Sequence, residues 1–304
     1  MNQMANIAAE PLRADFGIEV KFVPGTPDPA RVFRAMTALI DSFQRFDKEL
    51  VQTIDLTIEP VLFLEDIESG SLRTWLRSVI SSVDDSGLLA GDWKKVVGAY
   101  LLKAKYIIIR KLEGKTQITS RDEIKEIEGE LLEAAEATNI KWIPSYRPVP
   151  EGKIVDAIEN FGVALAYLAP EDSAKLITPD GEANFNMVLK VSPDSLLDLL
   201  IKESLTNESV MILKVKRPDY LGESMWDFKR GEHPLQAKIL DRKWLADFQG
   251  RNVDVRPGDA IRAKVSHTIN YGYDAEVVSE RYEVMEVLEV TALVSFTQPP
   301  LLEE

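Results

Sequence analysis

The chain has no cysteine among its 304 residues and only two histidines, His233 and His267. Structural disulfides, thiolate zinc sites and cysteine nucleophiles are therefore excluded. Two histidines in different segments form neither a His-Glu-x-x-His zinc helix nor a recognisable catalytic triad. On these grounds the sequence predicts no metal site and no cofactor.

Long apolar runs are also scarce. The most apolar stretch, from Val96 to Arg110, carries Lys103 and Lys105 near its centre. It falls short of the roughly 18 uncharged residues that a membrane-spanning helix needs. The first residues, MNQMANIAAEPLRADFG, lack the basic start and apolar core of a secretory signal. We therefore expect a cytoplasmic protein with no membrane partner.

Positive charge is outnumbered, with 36 Lys and Arg against 50 Asp and Glu and a net charge of −14. This balance opposes a general affinity for nucleic acid or anionic membranes. It reverses locally, because residues 211–267 contain 12 basic and 8 acidic side chains, whereas residues 268–304 contain one arginine and 8 acidic side chains. One interpretation is a basic patch on an acidic protein, and the other is a solvated charged face without a ligand.

The chain is 45% hydrophobic and 28% charged, as in globular proteins, and its length suits two domains. In the first half, alternation at Ile18, Val20 and Phe22 predicts a strand. An apolar stripe at helical spacing from Val32 to Leu50 predicts an amphipathic helix. Alternation resumes at residues 54–58 and predicts a second strand.

Several further elements are predicted before residue 148. Pro60 suggests a bulge or an edge position in the second strand. Gly70 and Ser71 introduce a segment, SLRTWLRSVISSV, whose spacing of apolar residues predicts a helix. Another helix is expected from Trp93, and a fourth after Ser120, which forms a capping-box pattern with Glu123.

The segment Ile143 to Gly152, IPSYRPVPEG, contains three prolines and a glycine and is interpreted as a linker. Beyond residue 211, alternating apolar residues predict successive short strands, the last from Tyr282 to Val290. The fold prediction is α+β, with a small sheet covered by helices in residues 1–148. Residues 149–304 are predicted to form a β-rich domain ending in a small barrel or sandwich.

The segment from Arg217 to Lys229, RPDYLGESMWDFK, resembles the two-part carboxylate and lysine motif of metal-dependent nucleases. In that hypothesis Asp219 and Asp227 hold a divalent cation and Lys229 activates water. The spacing is short for the motif, and Trp226 and Phe228 indicate a strand that buries their face. The alternative is an ordinary hairpin with its charged side chains in water.

A possible binding surface is predicted from the outward parity of Lys214, Lys216, Arg262 and Lys264 on strands expected to share a sheet. These cations could receive phosphates or an acidic partner, unless nearby Asp and Glu neutralise them. His267 has inward parity and is interpreted as a packing residue.

Two tyrosines, Tyr271 and Tyr273, lie on either side of Gly272 in the segment HTINYGYDAEV. Tyrosines in such loops can stack on bases or contact a protein partner. The alternative is that they pack against the barrel.

The segment from Ser224 to Val265 resembles small-barrel modules of accessory proteins in bacterial mobile-element and defence gene clusters, and the resemblance implies no residue roles. The leading hypothesis is a non-enzymatic binding or scaffold protein that acts through protein contacts and self-association. The alternative is a metal-dependent nuclease or a nucleic-acid-binding protein that uses the basic segment around residues 211–267.

Overall fold

A computed structural model describes residues 14–25, 27–68, 72–82, 93–189, 193–273 and 275–292. The fold is α+β, as predicted, and contains two antiparallel or mixed sheets together with helices. Contacts within the chain divide it into two compact units, residues 1–199 and residues 200–304. In the described ranges, each helix is too short or too polar to cross a bilayer.

The first unit contains a five-stranded antiparallel sheet in the order β2-β3-β1-β4-β5. Its strands are β1 (Phe16–Lys21), β2 (Ile58–Glu68), β3 (Leu72–Ser82), β4 (Ser173–Thr178) and β5 (Gly181–Asn184). Its helices are α1 (Ala30–Gln52), α2 (Trp93–Leu112), α3 (Arg121–Ala137), α4 (Glu151–Leu165) and α5 (Pro193–Asp198), with a 3-10 turn at Ile140–Trp142.

Aromatic rings join the sheet of this unit to its helices. The ring of Phe43 on α1 meets Phe16 of β1 at 5.7 Å, Phe161 of α4 at 5.0 Å and Phe185 at 6.0 Å. All four side chains are buried, and edge-to-face pairs at these distances contribute beyond their buried area. The amphipathic helix predicted from Val32 to Leu50 thus supplies the centre of the core.

The helix predicted over SLRTWLRSVISSV is wrong, because Leu72–Ser82 forms β3. Thr74, Leu76 and Ile80 are buried while their neighbours are more exposed, which is the period of a strand. β3 also pairs with β1 on one side and β2 on the other. Two ladders of backbone hydrogen bonds outweigh an apolar spacing that fits a helix as well.

The proline-rich segment 143–152 lies inside the first unit. Ile143, Tyr146 and Val149 are buried, and the segment is followed by α4 and by β4, which pairs with β1. The prolines therefore connect two helices of one unit. The two units meet in sequence at Leu199 and Leu200, some 50 residues beyond the boundary that composition suggested.

Two ion pairs are buried in the first unit. The ammonium group of Lys105 binds the Asp47 carboxylate, and both side chains are almost fully buried. Burial raises the pKa of Asp47, and the charge of Lys105 opposes that rise. Arg31 donates to both carboxylate oxygens of Asp172 at 3.0 and 3.1 Å, joining the start of α1 to the α4–β4 connection.

The second unit is a closed five-stranded barrel, which confirms the predicted barrel. It consists of β6 (Glu203–Arg217), β7 (Trp226–Arg230), β8 (His233–Ile239), α6 (Arg242–Gln249), β9 (Ala260–Tyr271) and β10 (Val277–Thr291). β6 pairs with β7 and β9, β7 with β8, and β9 with β10, all antiparallel. β8 and β10 are parallel and close the ring.

Counted along the chain, α6 joins the third strand of the barrel, β8, to the fourth, β9. The third strand pairs with the fifth, β10. This is the strand topology of an OB-fold barrel. Alternate residues of each strand fill the interior, as predicted from their parity. They include Leu213 and Val215 of β6, Trp226 and Phe228 of β7, Ala237 and Ile239 of β8, Ile261, Ala263 and Val265 of β9, and Val284 of β10.

Candidate binding groove on the barrel

An open groove lies where the ring of strands is incompletely paired. β8 begins at His233, but its ladder with β10 covers only three residue pairs, from Ala237 with Tyr282 to Ile239 with Val284. The first half of β8 and the preceding residues of β10 therefore diverge. The space beside them has a volume of about 800 Å³. It is lined by Lys216, Met225, Asp227, Phe228, Arg230, His233, Pro234, Leu235, Gln236, Glu280, Arg281 and Tyr282.

Three cations line the groove without a carboxylate partner. Lys216 lies near the end of β6, Arg230 at the end of β7 and Arg281 on β10. All three are exposed, and none forms an ion pair with any described residue. Their charges are therefore available to a ligand.

The two acids of the groove are already occupied. Asp227 accepts a hydrogen bond from Gln236 at 2.8 Å and pairs with Arg217 at 2.9 Å. One carboxylate oxygen of Glu280 lies 3.2 Å from His267 Nε2 and 3.2 Å from the Tyr282 hydroxyl. Asp227 is neutralised by Arg217, and the three unpaired cations outnumber the one remaining carboxylate, that of Glu280, so the groove favours an anionic ligand.

The aromatic residue Tyr282 forms part of one wall of the groove, and its ring is supported by that of His267. His267 of β9 and Tyr282 of β10 are directly opposite in the ladder, and their rings stack at 4.1 Å with an interplanar angle of 7°. Burial raises the pKa of Tyr282, the bond to Glu280 adds to the rise, and the charge of Arg230 opposes it. The phenol is thus held neutral and oriented while its ring lines the groove.

Comparisons with protein-family models, curated proteins and solved structures find no match. The groove must therefore be interpreted from its own residues.

The predicted nuclease residues have other partners. Asp219 caps the β6–β7 loop, because its carboxylate accepts from the amides of Leu221, Gly222 and Ser224 and from the Ser224 hydroxyl. These bonds, with the hydroxyl contributing most, lower the pKa of Asp219. Asp227 contacts Arg217 and Gln236, as described above. The ammonium nitrogen of Lys229 lies 3.8 Å from a carboxylate oxygen of Glu232.

These contacts give each of the three residues a place in the β6–β7–β8 hairpins without a bound cation. Among the residues that the structure describes, no group of three or more His, Asp or Glu is arranged to hold a metal ion. The geometry therefore lends no support to the nuclease alternative.

Acids on neighbouring strands pair with two of the four cations of the predicted basic face. Lys264 bonds Glu208 of β6 at 2.7 Å, and this bond raises the pKa of Lys264. Arg262 lies 3.9 Å from Glu289 of β10. Lys214 lies in register with Lys229, and Lys216 is the member of the predicted set that lines the groove.

Tyr271 and Tyr273 are not among the residues that line the groove. Tyr271 is half-buried at the end of β9, and its carbonyl accepts from the amide of Lys202 at 2.8 Å. The ammonium of Lys202 lies 5.9 Å from the centroid of the Tyr273 ring. Both tyrosines therefore organise the far end of the β9–β10 ribbon.

Sequence reasoning missed the groove residues Glu280, Arg281 and Tyr282. A signal for Arg281 existed, since it is the single cation within residues 268–304. Its place in the same groove as Arg230 depends on the parallel pairing of β10 with β8, which no local pattern encodes. His267 was interpreted as a packing residue, and its ring stacks on that of Tyr282.

Proposed function

We propose that the protein is a non-enzymatic binding protein whose barrel holds single-stranded nucleic acid in the groove between β8 and β10. The observation that carries the proposal is the set of unpaired cations, Lys216, Arg230 and Arg281, around an aromatic and apolar floor. Phosphates require the cations, and unstacked bases require flat apolar contacts.

The charge of the whole molecule does not oppose this proposal at short range. In physiological salt the Debye length is about 8 Å, so distant exposed acids are largely screened from a bound phosphate. The acids inside the groove, Asp227 and Glu280, are bonded to neighbouring side chains. A strand in the groove therefore meets mainly positive charge.

The position of the groove agrees with the fold. OB-fold barrels bind oligonucleotides and oligosaccharides on the face formed by their second and third strands, which here are β7 and β8. This is an argument by analogy of fold. The unpaired arginines favour an anionic oligonucleotide over a neutral sugar chain, because a sugar has no charged group that could form an ion pair with them.

The test is fluorescence anisotropy with labelled single-stranded DNA and RNA, comparing the wild type with Arg230→Glu/Arg281→Glu. We expect the double variant to weaken binding by at least about tenfold. Loss of two phosphate contacts should also reduce the slope of log affinity against log salt by about 1.4.

The matched control is Arg262→Glu/Lys264→Glu, which changes the same number of charges on the neutralised face of the ribbon. Its affinity should stay closer to that of the wild type than to that of the groove variant. Equal losses in both double variants would mean that net charge alone matters, and the groove would be abandoned. Added Mg²⁺ should produce no cleavage of the bound strand.

Self-association is a second candidate function, favoured by one specific observation. The edge strand β2 exposes large apolar side chains, Val61, Phe63, Leu64 and Ile67. Phe63 is 47% exposed and faces Arg77 across the hairpin. Exposed, unpaired strand edges with apolar side chains are sites of strand pairing between molecules.

Light scattering after size-exclusion chromatography tests this candidate. Phe63→Ser should shift a dimer towards the monomer, whereas Leu56→Ser should not, although Leu56 is 83% exposed in the turn before β2. A wild-type protein that is monomeric at all accessible concentrations contradicts self-association.

A further inference from the structure

The loop between β6 and β7, residues 218–225, carries an apolar side chain that no contact explains. Leu221 is 97% exposed, more than any other large apolar residue of the described chain. The loop adjoins the groove, because Lys216 before it and Met225 at its end both line that space. An apolar tip beside a ligand groove calls for a physical reason.

The backbone of this loop is fixed from inside. Asp219 accepts from the amides of Leu221, Gly222 and Ser224, each at 3.0 Å, and from the Ser224 hydroxyl at 2.6 Å. A Cβ at position 222 would lie 2.9 Å from Asp219 Oδ2, so a side chain there would displace the carboxylate that holds the loop. These bonds therefore fix the backbone at Leu221 and leave its side chain exposed.

Contacts with α6 and its flanks hold the loop from outside. The Tyr220 ring stacks on Phe248 at 5.1 Å, and its hydroxyl donates to the Val255 carbonyl at 3.3 Å. Gln249 donates to the carbonyl of Gly222 at 2.8 Å. Because little conformational entropy remains to be lost at this tip, binding through it is efficient.

We infer that Leu221 is an apolar wedge that inserts between two bases of the strand in the groove. The inference rests on the proposed function. Leu, Met and Phe side chains act in this way in other nucleic-acid-binding proteins, and insertion costs the stacking energy of the separated step. That cost depends on the bases, so the wedge selects weakly stacked sequences.

This selection separates a wedge from a general apolar contact. Thymine bases stack weakly and adenine bases stack strongly, so wild-type protein should bind oligothymidine more tightly than oligoadenine of equal length. The preference should follow Leu221, because the three cations and the Tyr282 ring contact backbone and bases irrespective of sequence.

The experiment measures dissociation constants of wild type, Leu221→Ala and Ile212→Ala for both oligomers by anisotropy. Ile212 is the matched control, because it is 66% exposed on β6 and does not line the groove. We expect Leu221→Ala to lose about tenfold in affinity for oligothymidine and to lose the preference over oligoadenine. Ile212→Ala should retain both.

A fluorescent adenine analogue within the oligomer gives a second readout, since its emission rises when it unstacks. Emission should rise with the wild type and with Ile212→Ala, and much less with Leu221→Ala. If Leu221→Ala binds and unstacks as the wild type does, the wedge is wrong and the groove stands. If the wild type binds neither oligomer, the groove and the wedge both fall.

Discussion

Lys105 in the first unit and Arg230 in the barrel differ in their partners, because Lys105 bonds a carboxylate and Arg230 bonds none among the described residues. Lys105 lies 5.2 Å from the centroid of Phe16 and bonds Asp47 in the core. Arg230 is exposed, lines the groove and forms no ion pair with a described residue. Burial explains the difference. A charge removed from water needs a partner of opposite charge, whereas an exposed charge is stabilised by water until a ligand binds.

The same contrast extends over the two units. Arg31 of the first unit is bound by Asp172, an acid 141 residues away in the chain. In the barrel, Arg262 and Lys264 on the outer ribbon have carboxylate partners, whereas the three cations that line the groove have none among the described residues. Arg31 therefore supports the fold through a buried pair, whereas the groove cations are available to a ligand.

The largest effect is expected from breaking the buried pair. Lys105→Met leaves the Asp47 carboxylate uncompensated in the core and should lower the free energy of unfolding by about 3–5 kcal/mol. Burial already raises the pKa of Asp47, and loss of the ammonium removes the opposing charge. The folded protein then prefers a protonated Asp47, so the defect should grow as pH rises above about 4.

Urea denaturation at acidic and neutral pH measures this loss, and hydrogen exchange locates it. Peptides of residues 14–189 should lose protection and those of the barrel should keep it. The double variant Lys105→Met/Asp47→Leu should recover most of the stability. If the single variant is as stable as the wild type at neutral pH, the buried pair does not support the fold.

An intermediate effect is expected at the aromatic wall of the groove. Tyr282→Ala removes the ring and should weaken single-stranded nucleic acid binding by about 1–3 kcal/mol, the contribution of one stacked base. Tyr282→Phe keeps the ring and loses only the bond to Glu280, so its affinity should stay near that of the wild type. Anisotropy titrations decide, and similar losses in both variants would exclude stacking.

The smallest effect is expected when the unpaired cations are neutralised without a ligand. Arg230→Gln/Arg281→Gln should change the free energy of unfolding by less than about 0.5 kcal/mol, since no ion pair is broken. Arg31→Gln is the comparison, and it should cost several times more because it leaves Asp172 buried without its partner. Equal destabilisation by both changes would contradict the contrast between the units.

The sequence predicts most of the barrel because its strands alternate cleanly. Leu213, Val215 and Ile261 belong to the alternating apolar residues from which the strands were predicted, and all three are buried. Leu72–Ser82 shows the limit, since its apolar residues fit helical spacing until β1 and β2 supply ladders on both sides. Pairing with distant strands decides whether such a segment forms a helix or a strand. The local sequence of the segment does not encode that pairing.

The candidate site was less predictable for the same reason. Parity placed Lys214, Lys216, Arg262 and Lys264 on the outer face, but the acids that neutralise two of them come from β6 and β10. The groove joins Arg230 to Arg281, which are 51 positions apart in the sequence. Only the parallel arrangement of β8 and β10 brings their strands to opposite sides of one space.

That arrangement also has a mechanical consequence. β10 pairs with β9 at 12 positions but with β8 at only three. The barrel is therefore closed by a short ladder between β8 and β10. Under a pulling force, the ladder between β8 and β10 should break long before the ladder between β9 and β10. A polymer bound to both Arg230 and Arg281 would connect the strands on either side of this short ladder. The barrel with ligand should therefore need a higher force to open than the barrel without ligand.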